Sequence, residues 1–97
     1  MPRALIIIPT WNERRNLGLL LPALRQAIPG CHVLIVDDGS PDGTAAWARR
    51  QARRWRGGLH LIERRGRRGL GTAYQAGYRF ALSRGGYDIL VQMDADG

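Results

Sequence analysis

Residues 32–44 read HVLIVDDGSPDGT, so that a run of apolar, largely β-branched side chains passes directly into two aspartates and a turn. Such a run, bounded by turn residues, is typical of a strand in a parallel sheet that is covered on both faces. Asp42 or Thr44 is placed to cap a helix that follows the turn. A strand followed by a helix is the repeating unit of an α/β fold, and the rest of the chain repeats it.

Three further segments resemble this strand, and amphipathic segments separate them. The strands are predicted at residues 4–8, 32–36, 59–63 and 89–93, and the helices at residues 17–28, 44–54 and 71–83. Pro22 is expected to kink the first helix or divide it in two. The order β-α-β-α-β-α-β predicts a Rossmann-like α/β fold, a mostly parallel sheet with helices on both faces.

The chain has 97 residues, which is enough for one domain only. Its composition, 44% hydrophobic and 24% charged, is that of a globular protein and excludes a disordered chain. At this length only about 60–65% of the unfolded chain's surface is buried. The sequence also stops directly after the last predicted strand. We therefore expect residues 1–97 to be the amino-terminal part of a single, truncated domain.

No apolar stretch approaches the roughly 20 residues of a membrane span, and Met1 precedes a strand-like run instead of a signal peptide. We therefore expect a cytoplasmic protein. Cys31 is the one cysteine; it cannot form an internal disulfide and is expected to pack as a small apolar side chain. His32 and His60 are isolated in predicted strands, and neither is assigned a catalytic role.

The chain is strongly basic, with 15 basic residues against 8 acidic ones and a net charge of +7. All the basic residues are arginines, a bias that codon usage explains as well as an anionic partner does. We therefore expect no nucleic acid partner. An arginine-rich nucleic-acid-binding module is kept as the alternative from another functional class.

The acidic residues are concentrated where three predicted strands end. Six of the eight lie there: Glu13, Asp37, Asp38, Asp42, Asp94 and Asp96. In open α/β sheets ligands bind beyond the carboxyl ends of the strands. Carboxylates gathered there repel one another unless a cation or hydrogen-bond donors offset their charge. Asp94 and Asp96 are therefore candidate ligands for Mg²⁺ or Mn²⁺, the alternative being a plain polar turn.

Other residues near these strand ends suit a nucleotide. The carboxylates of Asp37 and Asp38 are not needed to cap the helix, so both are candidates to accept hydrogen bonds from a base or ribose. Trp11, at the exit of the first strand, is placed to stack on a nucleobase. Residues 64–73 (RRGRRGLGTA) bring four arginines and backbone amides before a helix, which suits either an anion site or a solvated turn.

Four motifs, PTWNERRNL, VDDGSPDGT, RRGLGTAYQAG and MDADG, occur in this order along the chain. In sequence and separation they resemble the amino-terminal half of glycosyltransferase family 2 enzymes, and within that family the polyprenol- and dolichol-phosphate mannose synthases. The resemblance covers essentially the whole chain. It implies a GT-A fold, of which the half present here binds the nucleotide sugar GDP-mannose.

The resemblance also implies roles for eight residues. Five match positions that surround the guanosine moiety, and three match the family's DxD-type motif: Pro9, Trp11, Glu13, Val36 and Asp38, then Asp94, Ala95 and Asp96. Asp96 is implied as the more direct ligand of Mg²⁺ or Mn²⁺, and Asp94 as shared between the metal and the sugar or ribose, which makes both catalytic. Trp11 stands where the family usually has tyrosine, so stacking is expected to remain and the phenol's hydrogen bond to be lost.

The implied reaction is transfer of mannose, with inversion, to a polyprenyl (dolichyl) phosphate, which places the protein at the cytoplasmic face of the membrane. The acceptor phosphate is largely anionic near neutral pH, with a second pKa of about 6, so no general base is required. Family members continue past MDAD, so we expect this chain alone to be inactive without a missing carboxy-terminal half or a membrane-anchoring partner. A UDP-sugar donor or another acceptor is the alternative within the family.

Overall fold

The computed structural model describes residues 3–65 and 69–96. Its strands are β1 (Ala4–Thr10), β2 (His32–Asp37), β3 (Leu59–Glu63) and β4 (Ile89–Gln92). Its helices are α1 (Arg14–Ala27), α2 (Thr44–Ala52) and α3 (Leu70–Arg84), and a short 3-10 turn, Arg53–Trp55, follows α2. The predicted alternation of strands and helices is confirmed.

The strands form one parallel sheet in the order β3-β2-β1-β4. β1 is central: Ile7 pairs with Leu34 of β2, and Leu5 pairs with Leu90 of β4. The chain adds β2 and β3 on one side of β1 and then crosses to add β4 on the other side. A change of direction of this kind opens a crevice at the carboxyl ends of the two strands involved.

Alternate side chains of β1 and β2 pack against helices on opposite faces of the sheet, and those at their centres are fully buried. One set packs with α1 and α2: Ile6, Ile8, Val33 and Ile35. The other set packs with α3: Leu5, Ile7, Leu34 and Val36. Cys31 is 5% exposed and joins the first set, as predicted. Coverage on both faces explains why these strands are continuous apolar runs in the sequence.

α1 continues across Pro22 as a single helix, so the prediction of two pieces is wrong. Proline removes the hydrogen bond to the carbonyl four residues earlier, which belongs to Gly18. Gly18 and Pro22 are both exposed, so water can bond to that carbonyl. The buried face of the helix, Leu17, Leu21 and Leu24, contains neither residue.

β4 forms one edge of the sheet and is less covered than β1 and β2. The side chains of Ile89 and Leu90 are 46% and 38% exposed. An unpaired edge with exposed apolar side chains is a template for self-association.

In the described ranges, no helix combines the length and the apolar character that a bilayer crossing requires.

His32 and His60 lie side by side near the amino ends of β2 and β3. Nε2 of His60 is 3.3 Å from Nδ1 of His32, and the hydroxyl oxygen of Tyr87 is 2.9 Å from the same Nδ1. The sequence interpretation of two isolated histidines is therefore wrong. Residues 28 positions apart meet here because neighbouring parallel strands place them on the same face.

The fold lowers the pKa of both imidazoles. Burial lowers the pKa of His60 from its usual 6.5 to about 4, and the charges of Arg84 and His32 act in the same direction. Burial also lowers the pKa of His32, as do the charges of Arg3 and Arg84. On acidification the histidines of the unfolded chain bind protons at a higher pH than those of the folded chain. The free energy of unfolding is therefore expected to be highest above about pH 6.5 and to fall between about pH 6.5 and 4.

Thermal unfolding followed by circular dichroism at a series of pH values between about 7.5 and 5 measures this dependence, since most carboxylates titrate below that range. His60→Gln removes the imidazole whose pKa is lowered most, so the variant is expected to lose less stability than the natural chain on acidification. An equal loss in both proteins would contradict the assignment.

Candidate nucleotide-sugar and metal site

The exits of β1, β2 and β4 meet in one crevice of about 220 Å³, which the start of α3 closes on one side. It lies at the point where the strand order changes direction, as the topology predicts. Ten residues line it: Pro9, Thr10, Trp11, Glu13, Asp38, Gly69, Leu70, Asp94, Ala95 and Asp96.

Seven of the eight residues implied for nucleotide-sugar binding line this crevice. Val36 does not line it, because its side chain is fully buried in the cluster that packs with α3. Three further residues line it: Thr10, which was not a candidate, and Gly69 and Leu70, which lie in the segment 64–73 that the sequence indicates as a candidate anion site. The position of this arginine- and glycine-rich segment before a helix was the available signal.

Asp37 lies at the end of β2 with 1% of its surface exposed. Its Oδ1 accepts hydrogen bonds from the hydroxyls of Thr10 (2.7 Å) and Ser40 (2.6 Å). Its Oδ2 accepts from the backbone N–H groups of Gly39 (3.2 Å) and Ser40 (2.9 Å). Asp37 thus joins the end of β1 to the turn after β2, and the structure corrects the hypothesis that this carboxylate faces a base or ribose.

The turns after β1 and β2 are also bonded to each other. The N–H of Asn12 donates to Oγ of Ser40 (2.8 Å), and the N–H of Asp42 donates to Oδ1 of Asn12 (3.3 Å). Asn12 has a φ of 55°, in the left-handed region that asparagine tolerates better than most residues. Together with the bond from Thr10 to Asp37, these bonds fix the path of the chain on both sides of Trp11.

Asp42 bonds to the first residue of α2, although Gly43, and not Asp42 or Thr44 as predicted, occupies the capping position. Its Oδ1 accepts a hydrogen bond from the N–H of Thr44 (3.0 Å). Burial acts to raise the pKa of Asp42, but the hydrogen bonds from Thr44 and Arg14 outweigh it and lower that pKa below its usual value. Asp42 is therefore part of the loop structure, and it does not line the crevice.

Asp94 and Asp96 follow β4 and are both exposed, whereas Ala95 between them is 4% exposed. The hydroxyl of Tyr74 donates to Oδ1 of Asp94 over 3.4 Å. Burial raises the pKa of Tyr74, and the charge of Asp94 and this hydrogen bond act in the same direction. The carboxylate thus has a protonated phenol beside it.

The two carboxylates offer hard oxygen ligands on one wall of the crevice. Among the described residues, no cluster of three or more His, Cys, Asp or Glu side chains is arranged to hold a metal ion. A site with two carboxylates suits Mg²⁺ or Mn²⁺, which keep water molecules and take further ligands from substrate phosphates. The donor chemistry of Asp94 and Asp96 is therefore compatible with the predicted metal.

Within the arginine-rich segment, the structure shows the partner of one of the four arginines, Arg64. Arg67 and Arg68 lie outside the described residues. Arg64 forms an ion pair with Asp38, with Nε 2.6 Å from Oδ1, and the two side chains are only 10% and 8% exposed. This guanidinium group is thus bound to a protein carboxylate behind the crevice.

Asp37→Asn is expected to destabilise the chain by about 2–3 kcal/mol, because the substitution removes the charge that accepts four hydrogen bonds in a buried position. Urea unfolding measures the change. Asp88→Asn is the matched control: Asp88 is exposed and accepts from the N–H of Arg3 (2.8 Å), so about 0.5 kcal/mol or less is expected there. A similar small effect at both positions would show that Asp37 does not hold the loops together.

Two curated proteins are similar to this chain in sequence. The chain is 50% identical over 95 residues to the polyprenol monophosphomannose synthase of Mycolicibacterium smegmatis, and 53% identical over 95 residues to the undecaprenyl-phosphate mannosyltransferase of Micrococcus luteus. These matches include 98% of this chain but only 36% and 38% of the two relatives. The chain therefore spans a little over a third of the length of these curated relatives.

Among solved structures, a mannosyltransferase from Pyrobaculum calidifontis in complex with GDP-Man and Mn²⁺ has a TM-score of 0.82 and 34% sequence identity to this chain. The match covers 98% of this chain and 28% of that one, and it confirms the predicted GT-A fold. The family described as Glycosyl transferase family 2 matches residues 5–97. The chain therefore belongs to glycosyl transferase family 2.

Proposed function

We propose that the chain is the donor-binding part of an enzyme that transfers mannose from GDP-mannose to a polyprenyl phosphate. The observation that carries this proposal is the crevice at the exits of β1 and β4, which brings Trp11, Asp38, Asp94 and Asp96 into one lining. The similarity to a structure in complex with GDP-Man and Mn²⁺ supports the donor and the metal. The names of the two curated relatives support the acceptor class.

In the proposed complex, the guanosine lies against the exits of β1 and β2 and the diphosphate lies toward Asp94 and Asp96. The indole of Trp11 offers a flat surface on which a base stacks. The carboxylate of Asp38 accepts hydrogen bonds from N–H groups of the guanine. Asp94 and Asp96 hold the divalent cation, which when bound neutralises the charge that develops on the GDP leaving group.

In the proposed reaction, an oxygen of the lipid phosphate attacks the anomeric carbon of mannose, and the bond from that carbon to GDP breaks with inversion. The attacking oxygen is already anionic at neutral pH, so no proton has to be removed. His32 and His60 lie at the opposite end of the sheet, near the amino ends of β2 and β3, so neither is placed to act as a base. Glu13, which does line the crevice, accepts a hydrogen bond from Nδ2 of Asn16 (2.7 Å).

The acceptor site is proposed to lie outside these residues. The two curated relatives extend well beyond the matched part, as does the Pyrobaculum structure. We expect a carboxy-terminal half or a membrane-anchoring partner to supply the groups that bind the lipid phosphate. The complete enzyme would then work as a peripheral protein at the cytoplasmic face of the membrane, where it meets its lipid acceptor.

Calorimetric titration of the purified chain tests the donor site, with circular dichroism as the check of folding. GDP-mannose is expected to bind in the presence of Mn²⁺ and at least about tenfold more weakly without it, a difference of about 1.4 kcal/mol. Asp96→Asn should abolish the dependence on Mn²⁺, because it replaces a charged metal ligand with a neutral amide. Asp88→Asn, an exposed position at the other end of β4, is the matched control.

A UDP-sugar titrated in parallel decides the nucleotide. Stronger binding of the UDP-sugar would overturn the proposed donor while keeping the family. Binding of nucleic acid that falls steeply with salt and ignores Asp96→Asn would instead support the arginine-rich binding module. A folded chain that binds neither nucleotide, with or without Mn²⁺, would contradict a donor site in this crevice.

A further inference from the structure

Arg64 lies immediately after β3, and its side chain is 10% exposed. Its backbone N–H donates to the carbonyl oxygen of Asp37 (2.8 Å), which continues the hydrogen bonding between β2 and β3 by one residue. The backbone of Arg64 is therefore fixed to the sheet beside the end of β2. The side chain itself does not line the crevice.

Three nitrogens of the Arg64 guanidinium have three different partners. Nε donates to Oδ1 of Asp38 (2.6 Å), Nη1 donates to Oγ1 of Thr72 (2.9 Å), and Nη2 donates to the carbonyl oxygen of Gly69 (3.1 Å). The hydroxyl of Thr72 also donates to the carbonyl oxygen of Gly69 (3.1 Å). One planar group thus joins the end of β2 to the start of α3.

The partners of Arg64 belong to two different walls of the crevice. Asp38 lines it from the end of β2, and Gly69 lines it from the turn before α3. Gly69 has a φ of 93°, a backbone conformation that residues other than glycine rarely adopt. The direction of its carbonyl group therefore depends on an unusual backbone geometry. The contact with Arg64 bonds that carbonyl to the same group that holds the Asp38 carboxylate.

We propose that Arg64 is a positioning residue for the nucleotide, which orients the carboxylate of Asp38 toward the base and keeps the wall formed by Gly69 at a fixed distance from it. The inference rests on the proposed function, in which Asp38 accepts hydrogen bonds from the guanine. Nothing in the role requires Arg64 to contact the ligand. It acts through Asp38 and through the start of α3.

The geometry explains why this position holds arginine. A buried ion pair adds little net stability, because the desolvation of both charges offsets their attraction. The pair does fix direction, since the guanidinium presents its N–H groups at set angles in one plane. A lysine ammonium keeps the charge but has no planar arrangement of donors, so it cannot reproduce the three contacts together.

Arg64→Lys therefore keeps the positive charge of the side chain and removes the planar set of donors that orients Asp38. We expect the variant to bind GDP, in the presence of Mn²⁺, at least about tenfold more weakly than the natural chain, which is about 1.4 kcal/mol. Its affinity for pyrophosphate with Mn²⁺ should not change, because that ligand has no base and binds at Asp94 and Asp96. Arg50→Lys is the matched control: Arg50 is exposed on α2, and both affinities should stay as in the natural chain.

A double-mutant cycle distinguishes positioning from a general structural effect. In an Asp38→Asn background, Arg64→Lys should cause a smaller loss of GDP affinity than in the natural chain, because the part of its action that passes through that carboxylate is already removed. Equal losses for GDP and pyrophosphate, or full additivity of the two substitutions, would overturn the inference. So would an Arg64→Lys chain that binds GDP as the natural chain does.

Thr72→Val provides a second variant in case Arg64→Lys does not fold. It removes one acceptor of the guanidinium at an exposed position, and we expect GDP to bind about threefold more weakly with pyrophosphate unaffected. Unchanged GDP affinity would count against the role of Arg64. If the natural chain itself does not bind GDP, the proposed function fails and this inference fails with it. If the natural chain binds GDP and neither Arg64→Lys nor Thr72→Val weakens that binding, only the positioning role is overturned.

Discussion

The buried carboxylate of Asp37 is the contact on which the geometry of the crevice depends. It is 1% exposed and accepts four hydrogen bonds, from the hydroxyls of Thr10 and Ser40 and from two backbone N–H groups of the turn after β2. With these bonds made, the N–H of Asp38 donates to the carbonyl oxygen of Thr10 (3.1 Å), so β1 and β2 separate at a defined point. The next residues on each strand, Trp11 and Asp38, consequently face the same opening.

The sheet topology and the charge distribution then act on the same place. β1 and β4 are neighbours at the point where the strand order changes direction, and the crevice there is lined by Asp94 and Asp96, which follow β4. Acidic side chains face this opening, and the ion pair with Arg64 offsets the charge of Asp38 from behind. In the proposed complex, a divalent cation and a diphosphate would complete the site at the exposed carboxylates of Asp94 and Asp96.

The sequence predicts the fold well because burial on both faces of β1 and β2 leaves continuous apolar runs, such as residues 32–36. It predicts most of the crevice because the carboxyl ends of parallel strands converge at one edge. It does not separate Asp37 from Asp38, since adjacent residues differ only in the direction of their side chains. Nor does it identify Arg64 among 15 arginines, because its role depends on contacts with residues 26 positions before it and 8 after it. The paired histidines were missed because strand register decides their contact.

The most direct test of the central claim, that the crevice holds the metal and the nucleotide sugar together, is an NMR titration of the ¹⁵N-labelled chain with Mn²⁺ and GDP-mannose. Paramagnetic Mn²⁺ broadens the amide signals of nearby residues. Broadening is expected to centre on residues 94–96 and to extend to residues 9–13, with His32 and His60 at the opposite end of the sheet little affected. Broadening centred on the histidines, or spread evenly over the chain, would contradict a metal and nucleotide-sugar site in the crevice.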